Sequence, residues 1–140
     1  GGFLTAVGMG TMGYSVPAAI GAKFARPNRD VLVVCGDGSF QMQLNELATI
    51  AGNNLNIKII IMRNSRLGMV RELQDNLYGH RHSATILEGD PDFLKIAEAY
   101  GIDHAEANSN EQAEEIIKNI VDSDKPFILV CDVYPDTPSI

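Results

Sequence analysis

Asp37 stands between two glycines in Gly36-Asp37-Gly38-Ser39, directly after the apolar run Val31-Leu32-Val33-Val34-Cys35. Asn64 follows a second apolar run, Ile57 to Met62. A carboxylate and a carboxamide at the carboxyl ends of two buried strands are hard oxygen donors, and they suit a divalent cation bridging a bound diphosphate. Gly36 and Gly38 permit backbone conformations that bring amides close to a phosphate, while Ser39 is placed to open the next helix as an N-cap and hydroxyl donor. The helix start adds partial positive charge facing the anion. A Walker loop would need a Lys beside Ser39, and none is there. Taken alone, the tetrapeptide reads as an ordinary strand-to-helix turn, so the pairing with Asn64 carries the specificity.

Other constellations are weaker. Gly8-Met9-Gly10-Thr11-Met12-Gly13 spells the dinucleotide fingerprint, but only the short run Phe3 to Val7 precedes it. Asp30 begins a strand where the acid of that fingerprint should close one, so a glycine loop closing on some other flat ligand fits better. His80-Arg81-His82 offers two imidazoles without a third ligand in view, and surface histidines are the simpler reading. Ser15, Ser65 and Ser83 have no His-and-acid arrangement to activate them. Glu111 to Glu115 reads as the solvated first half of a helix.

The elements that must position Asp37 and Asn64 alternate along the chain. Residues 31–35, 57–62 and 127–133 are Val/Ile/Leu-rich without clean alternation, as in strands covered on both faces, and 102–107 is a weaker fourth strand. Helices are expected over 14–24, with Pro17 near the start, and over 39–51, with Phe40, Leu44, Leu47, Ala48 and Ala51 on one side. Two more are expected over 92–100 and 111–121. Strands separated by helices predict an α/β fold with a doubly wound, mostly parallel sheet and helices on both faces. The segment 76–91 is the least regular and reads as a loop or flap near the site. At 140 residues the chain is one domain. A net charge of −7 argues against nucleic acid or an anionic membrane as partner, and no apolar run is long enough to span a bilayer. Cys35 and Cys131 lie in apolar runs and read as buried thiols in a reducing, cytoplasmic setting.

Gly36-Asp37-Gly38 followed by Arg63-Asn64 resembles the G-D-G…N-N signature of thiamine-diphosphate enzymes. With Gly8 to Gly21 upstream and Leu67-Gly68-Met69-Val70-Arg71 downstream, the chain is similar to the large catalytic subunit of the acetolactate synthase family. The resemblance spans nearly all of residues 1–140 and corresponds to the C-terminal third of such a subunit, a diphosphate-binding domain within a longer enzyme.

This resemblance implies thiamine diphosphate and Mg²⁺ as cofactors, with FAD only in the full-length enzyme. Asp37, the Asn64 side chain and the main-chain carbonyl of Arg66 would ligate the metal, and Gly36, Gly38 and Ser39 would lie at the phosphates. The Gly10 carbonyl and Thr11 would belong to the cofactor-binding loop, and Met12 would sit beneath the thiazolium. Leu67, Gly68 and Met69 would line the site, Met69 close to substrate; Met12 and Met69 are the residues nearest the chemistry. The implied reaction decarboxylates pyruvate and joins the product to a second 2-oxo acid. It needs a glutamate from a pyrimidine-binding domain of a neighbouring subunit, so a homo-oligomer is expected and this chain alone is half a site. Three departures stand out. Arg63 replaces the first Asn, Ala6-Val7 replaces Ser-Gly, and Leu73 stands where many members carry a channel-lining tryptophan. Another thiamine-diphosphate decarboxylase or carboligase, or a stand-alone cofactor-binding subunit of a split enzyme, remains as an alternative.

Overall fold

A computed structural model describes residues 2–89 and 91–135. The elements, in order, are α1 (Ser15–Ala25), β1 (Val31–Gly36), α2 (Asp37–Gln41), a 3-10 turn (Leu44–Glu46), α3 (Leu47–Gly52), β2 (Ile57–Arg63) and α4 (Gly68–Tyr78). α5 (Phe93–Ala99), β3 (Asp103–Ala107), α6 (Asn110–Ile120) and β4 (Phe127–Asp132) follow among the described residues. All three strand pairings are parallel, in the order β1-β2-β4-β3.

This order explains the layering. The steps from β1 to β2 and from β2 to β3 run in one direction across the sheet, and the step from β3 back to β4 runs in the other. Right-handed crossovers therefore put the helix of the last step on the opposite face. Val33, Cys35, Ile57, Ile59, Ile61, Ile128 and Val130 pack on one face with residues of α1, α2, α3 and α5, including Val16, Phe40, Leu47, Ile50, Phe93 and Ala97. Phe40 and Phe93 meet edge to face within that core, with centroids 5.6 Å apart. On the second face Ile60, Ala107, Leu129 and Cys131 pack with Ala113 and Ile116 of α6. This cluster draws on β2, β3 and β4, and Leu32 and Val34 of β1 are left about 60% exposed.

The expected strands and three of the expected helices agree to within a residue or two, and Asp92 and Ser109 cap α5 and α6 through side-chain bonds to Leu94, Lys95 and Gln112 amides. The expected helix over 39–51 is a correction. It breaks into α2, the 3-10 turn and α3, with Gln43 outside helical geometry at φ −135°. The break lets Phe40, Leu47 and Ile50 all reach full burial, while Ala48, expected on the apolar side, is exposed. The segment 76–91 is also partly corrected: α4 runs on to Tyr78 before the irregular stretch begins, and Asp90 lies outside the described residues. Both cysteines are free and buried. Among the described residues no helix is long and apolar enough to cross a membrane.

Candidate functional site

The parallel register places Gly36 of β1 beside Met62 of β2, so the chain leaves both strands at the same edge of the sheet. The next residues, Asp37 and Arg63-Asn64, are neighbours for that reason. Asp37 opens α2 and is 1% exposed. Its Oδ1 accepts from the Gly38 amide at 2.7 Å, and its Oδ2 accepts from the amides of Asn64 at 3.0 Å and Ser65 at 2.6 Å. Ser65 adopts a left-handed conformation, φ 53°, in the turn that aims these two successive N–H groups at one oxygen. The Asn64 Oδ1 in turn accepts from the Arg66 amide at 3.0 Å, an Asx turn that leads into α4.

A strap from the irregular segment closes over this turn. The Leu67 amide donates to the Thr85 carbonyl at 2.8 Å and the Leu87 amide to the Ser65 carbonyl at 2.9 Å, flanking an antiparallel bridge between Arg66 and Ile86. Gly38 is required by space here. A Cβ on it would stand 2.9 Å from Leu67 Cδ2 and 3.2 Å from both Leu87 Cδ1 and Met12 Cε. Gly36, by contrast, has no protein atom within 4 Å of where its Cβ would be, so the backbone is open to close approach on that side.

The glycine loop docks onto α2. Gly13, at φ 84°, donates its amide to Ser39 Oγ at 2.9 Å, and any Cβ on it would press on Met42 and Gln43. Gly10 also has a left-handed φ, 61°, and its amide bonds to the Ala6 carbonyl at 2.7 Å. Residues 8–13 form turns with no full strand before them, which agrees with setting the dinucleotide reading aside.

The structure thus brings Met12, Asp37, Gly38, Ser39, Asn64, Arg66 and Leu67 into one cluster, with Gly36 and Gly68 at its margins. Gly10 and Thr11 are exposed on the loop, and Met69 is exposed in the first turn of α4. Neither Gly36 nor Gly38 uses a positive φ, Gly36 being extended at φ −76°, ψ 158°. One expectation about the Asp37 turn is corrected. Ser39 lies inside α2, whose N-cap is Gly36, so its hydroxyl serves the glycine loop instead of the helix end. With only five residues, α2 could favour an anion through local amides more than through a macrodipole.

Arg63 faces away from Asp37. Its Nε donates to Asp132 at 2.6 Å and its guanidinium also pairs with Glu106, tying the carboxyl ends of β2, β4 and β3 together and raising the Arg63 pKa. The Cys35 thiol, one strand residue before the site, is pushed up to about 11 by burial; the Ser15 hydroxyl lowers it and the Asp37 charge raises it further. Sequence reasoning missed Ser65, Thr85 and Leu87, whose roles depend on backbone amides and on a strap folded back over the turn. It also missed the third member of the histidine group: Asp75 bonds both His80 and His82. Gly79 after the last helical residue was the available signal that the chain reverses there.

The donor set fits a hard divalent cation. Carboxylate and amide oxygens accept more than one partner each, and those of Asp37 and Asn64 lie on adjacent strand ends next to the open side of Gly36. Residues 1–131 match the thiamine pyrophosphate enzyme, C-terminal TPP binding domain. The chain is 43% identical over 127 residues to the acetolactate synthase isozyme 2 large subunit of Escherichia coli, covering 91% of this chain and 23% of that protein. It is 46% identical over 132 residues to the acetolactate synthase large subunit of Pyropia yezoensis, covering 94% and 22%. A probable acetolactate synthase large subunit of Methanococcus aeolicus is 41% identical over 135 residues, covering 96% and 22%. The chain spans under a quarter of the length of these relatives, less than the third expected. The matched residues take in the glycine loop, the Asp37 and Asn64 turns and the strap, and the chain belongs to the thiamine pyrophosphate enzyme, C-terminal TPP binding domain family.

Proposed function

We propose that this domain holds the diphosphate of thiamine diphosphate through Mg²⁺, as part of an acetolactate synthase that takes pyruvate and a second 2-oxo acid. The observation that carries this reading is the buried Asp37 carboxylate, held by the Asn64 and Ser65 amides where two parallel strands end. Asp37, the Asn64 Oδ1 and the Arg66 carbonyl would ligate the metal. Gly36 and Gly38 would let phosphate oxygens approach the backbone, and the Ser39 hydroxyl, which accepts from Gly13, keeps its own hydrogen to donate. Met12, already against Gly38, would support the cofactor from below, with Gly10 and Thr11 beside it and Leu67, Gly68 and Met69 along the α4 side. When bound, the cofactor supplies the electron sink for decarboxylation, while these residues orient it and exclude water from the diphosphate. The activating glutamate and the FAD site belong to other parts of the full-length enzyme, and a neighbouring subunit would complete the site, so the isolated chain is inactive.

Calorimetric titration of thiamine diphosphate into the chain with Mg²⁺, with EDTA and in Asp37→Ala tests the proposal, alongside a pyruvate-consumption assay. Binding that requires Mg²⁺ and Asp37, without turnover, is the expected result. Absence of binding both to the chain and to a mixture with the pyrimidine-binding domain would overturn it.

A further inference from the structure

Beyond the Asp37 site, a second group of metal-binding side chains converges where α4 ends. Gly79 and His80 are consecutive left-handed residues, φ 60° each, and the His82 amide bonds the His80 carbonyl at 3.1 Å, so the chain folds back over the last turns of α4. That reversal brings both histidines to Asp75. His80 Nδ1 lies 2.8 Å from Asp75 Oδ1, and His82 Nε2 reaches the same oxygen. One ligand atom from each of the three residues falls within 4.8 Å of the other two. The imidazole rings are nearly perpendicular, at 83° with centroids 6.3 Å apart, so they approach from different directions and do not stack.

We infer that Asp75, His80 and His82 form a binding site for a borderline transition-metal dication such as Zn²⁺, distinct from the hard-cation site at Asp37. Two imidazole nitrogens and one carboxylate oxygen are a ligand set for Zn²⁺, Co²⁺ or Ni²⁺ in place of Mg²⁺, which takes oxygen. Tetrahedral bonds of about 2.0–2.1 Å set ligand atoms roughly 3.3 Å apart, a small adjustment from the present positions. The arrangement is held by contacts that need no metal. Gln74 exchanges two hydrogen bonds with the Ser83 backbone, at 3.0 and 2.9 Å, and Arg81 Nε donates to the Tyr78 carbonyl at 2.9 Å. His80 is mostly exposed, which leaves the outer side open for water as a further ligand. The residues that follow, Thr85 to Leu87, are the strap over the Asp37 turn. A metal at this site would therefore tether the start of that strap to α4.

The test uses the chain without a polyhistidine tag, stripped of metal and titrated with Zn²⁺ in saturating Mg²⁺. One equivalent of Zn²⁺ should bind, and affinity should fall at least about tenfold in Asp75→Asn and in His80→Ala/His82→Ala, with circular dichroism showing both variants folded. Bound Zn²⁺ should also slow tryptic cleavage after Arg81 in the parent and leave the double variant unaffected. No binding by the folded parent, or unchanged affinity in the folded double variant, would overturn the inference.

Discussion

Replacing Asp37 by Asn removes one charge and leaves the side-chain shape unchanged, so it isolates what the carboxylate does before any cation arrives. The carboxylate accepts from three backbone amides, one on Oδ1 and two on Oδ2. An asparagine there turns its one oxygen toward the Asn64 and Ser65 amides and sets its NH₂ against the Gly38 N–H. One charge-assisted bond is lost, worth about 1.5–3 kcal/mol, and the Gly38 donor is left facing another donor at about 1–3 kcal/mol. The two remaining bonds become neutral and weaker. Against this, a neutral amide is cheaper to bury than a carboxylate at a position 1% exposed. The net expectation is a loss of about 2–4 kcal/mol from a total on the order of 5–15 kcal/mol, with Asp37→Ala worse because all three amides lose their acceptor. Urea unfolding at neutral pH without metal or cofactor measures this as a lower midpoint at constant m. Glu114→Gln, an exposed charge on α6, serves as the control. An asparagine variant as stable as the parent, or more so, would refute the reasoning. The carboxylate would then be a buried charge awaiting its cation, and not the tie between the two strand ends.

Two further predictions concern the surroundings of the site. Arg63→Ala leaves Glu106 and Asp132, diagonal neighbours on adjacent strands, without the cation between them, and because both ion pairs are partly exposed the cost should be only about 1–2 kcal/mol. High salt should shrink that loss, and an unchanged urea midpoint at low salt would contradict the pairing. Cys35, with its thiol raised from 9.0 to about 11, should react with an aromatic disulfide reagent at pH 8 at least ~100-fold more slowly in the native protein than in urea. Because the folded state holds that proton more tightly, the associated stability is complete below about pH 9 and is lost as pH rises toward 11. Native labelling of Cys35 at the unfolded rate would show that the thiol is not shielded.

Much of this architecture was legible in the chain itself. Strands covered on both faces need continuous apolar runs, and helices laid on them need apolar residues three and four apart, so 31–35, 57–62 and 127–133 and three of the helices followed from local chemistry. The pairing of Asp37 with Asn64 was legible for a related reason, since each ends an apolar run and parallel strands end at one edge. The helix expected over 39–51 failed because periodicity records which residues seek burial and is blind to a break at Gln43 that seats Phe40, Leu47 and Ile50 together.

Residue types alone also determined that Asp37 and Asn64 would offer oxygen to a cation, since that is a property of the side chains wherever they stand. Only the tertiary structure decided what surrounds them. Backbone amides have no sequence signature, so the Ser65 N–H that holds Asp37 and the Thr85–Leu87 strap became visible only with the chain folded. Similarly, Gly79 signals a reversal after α4, but nothing in the spacing of Asp75, His80 and His82 showed that it would close three ligand atoms on one point. Contacts of that kind depend on backbone direction, which neighbouring elements set through packing and which a linear pattern of residue types does not carry.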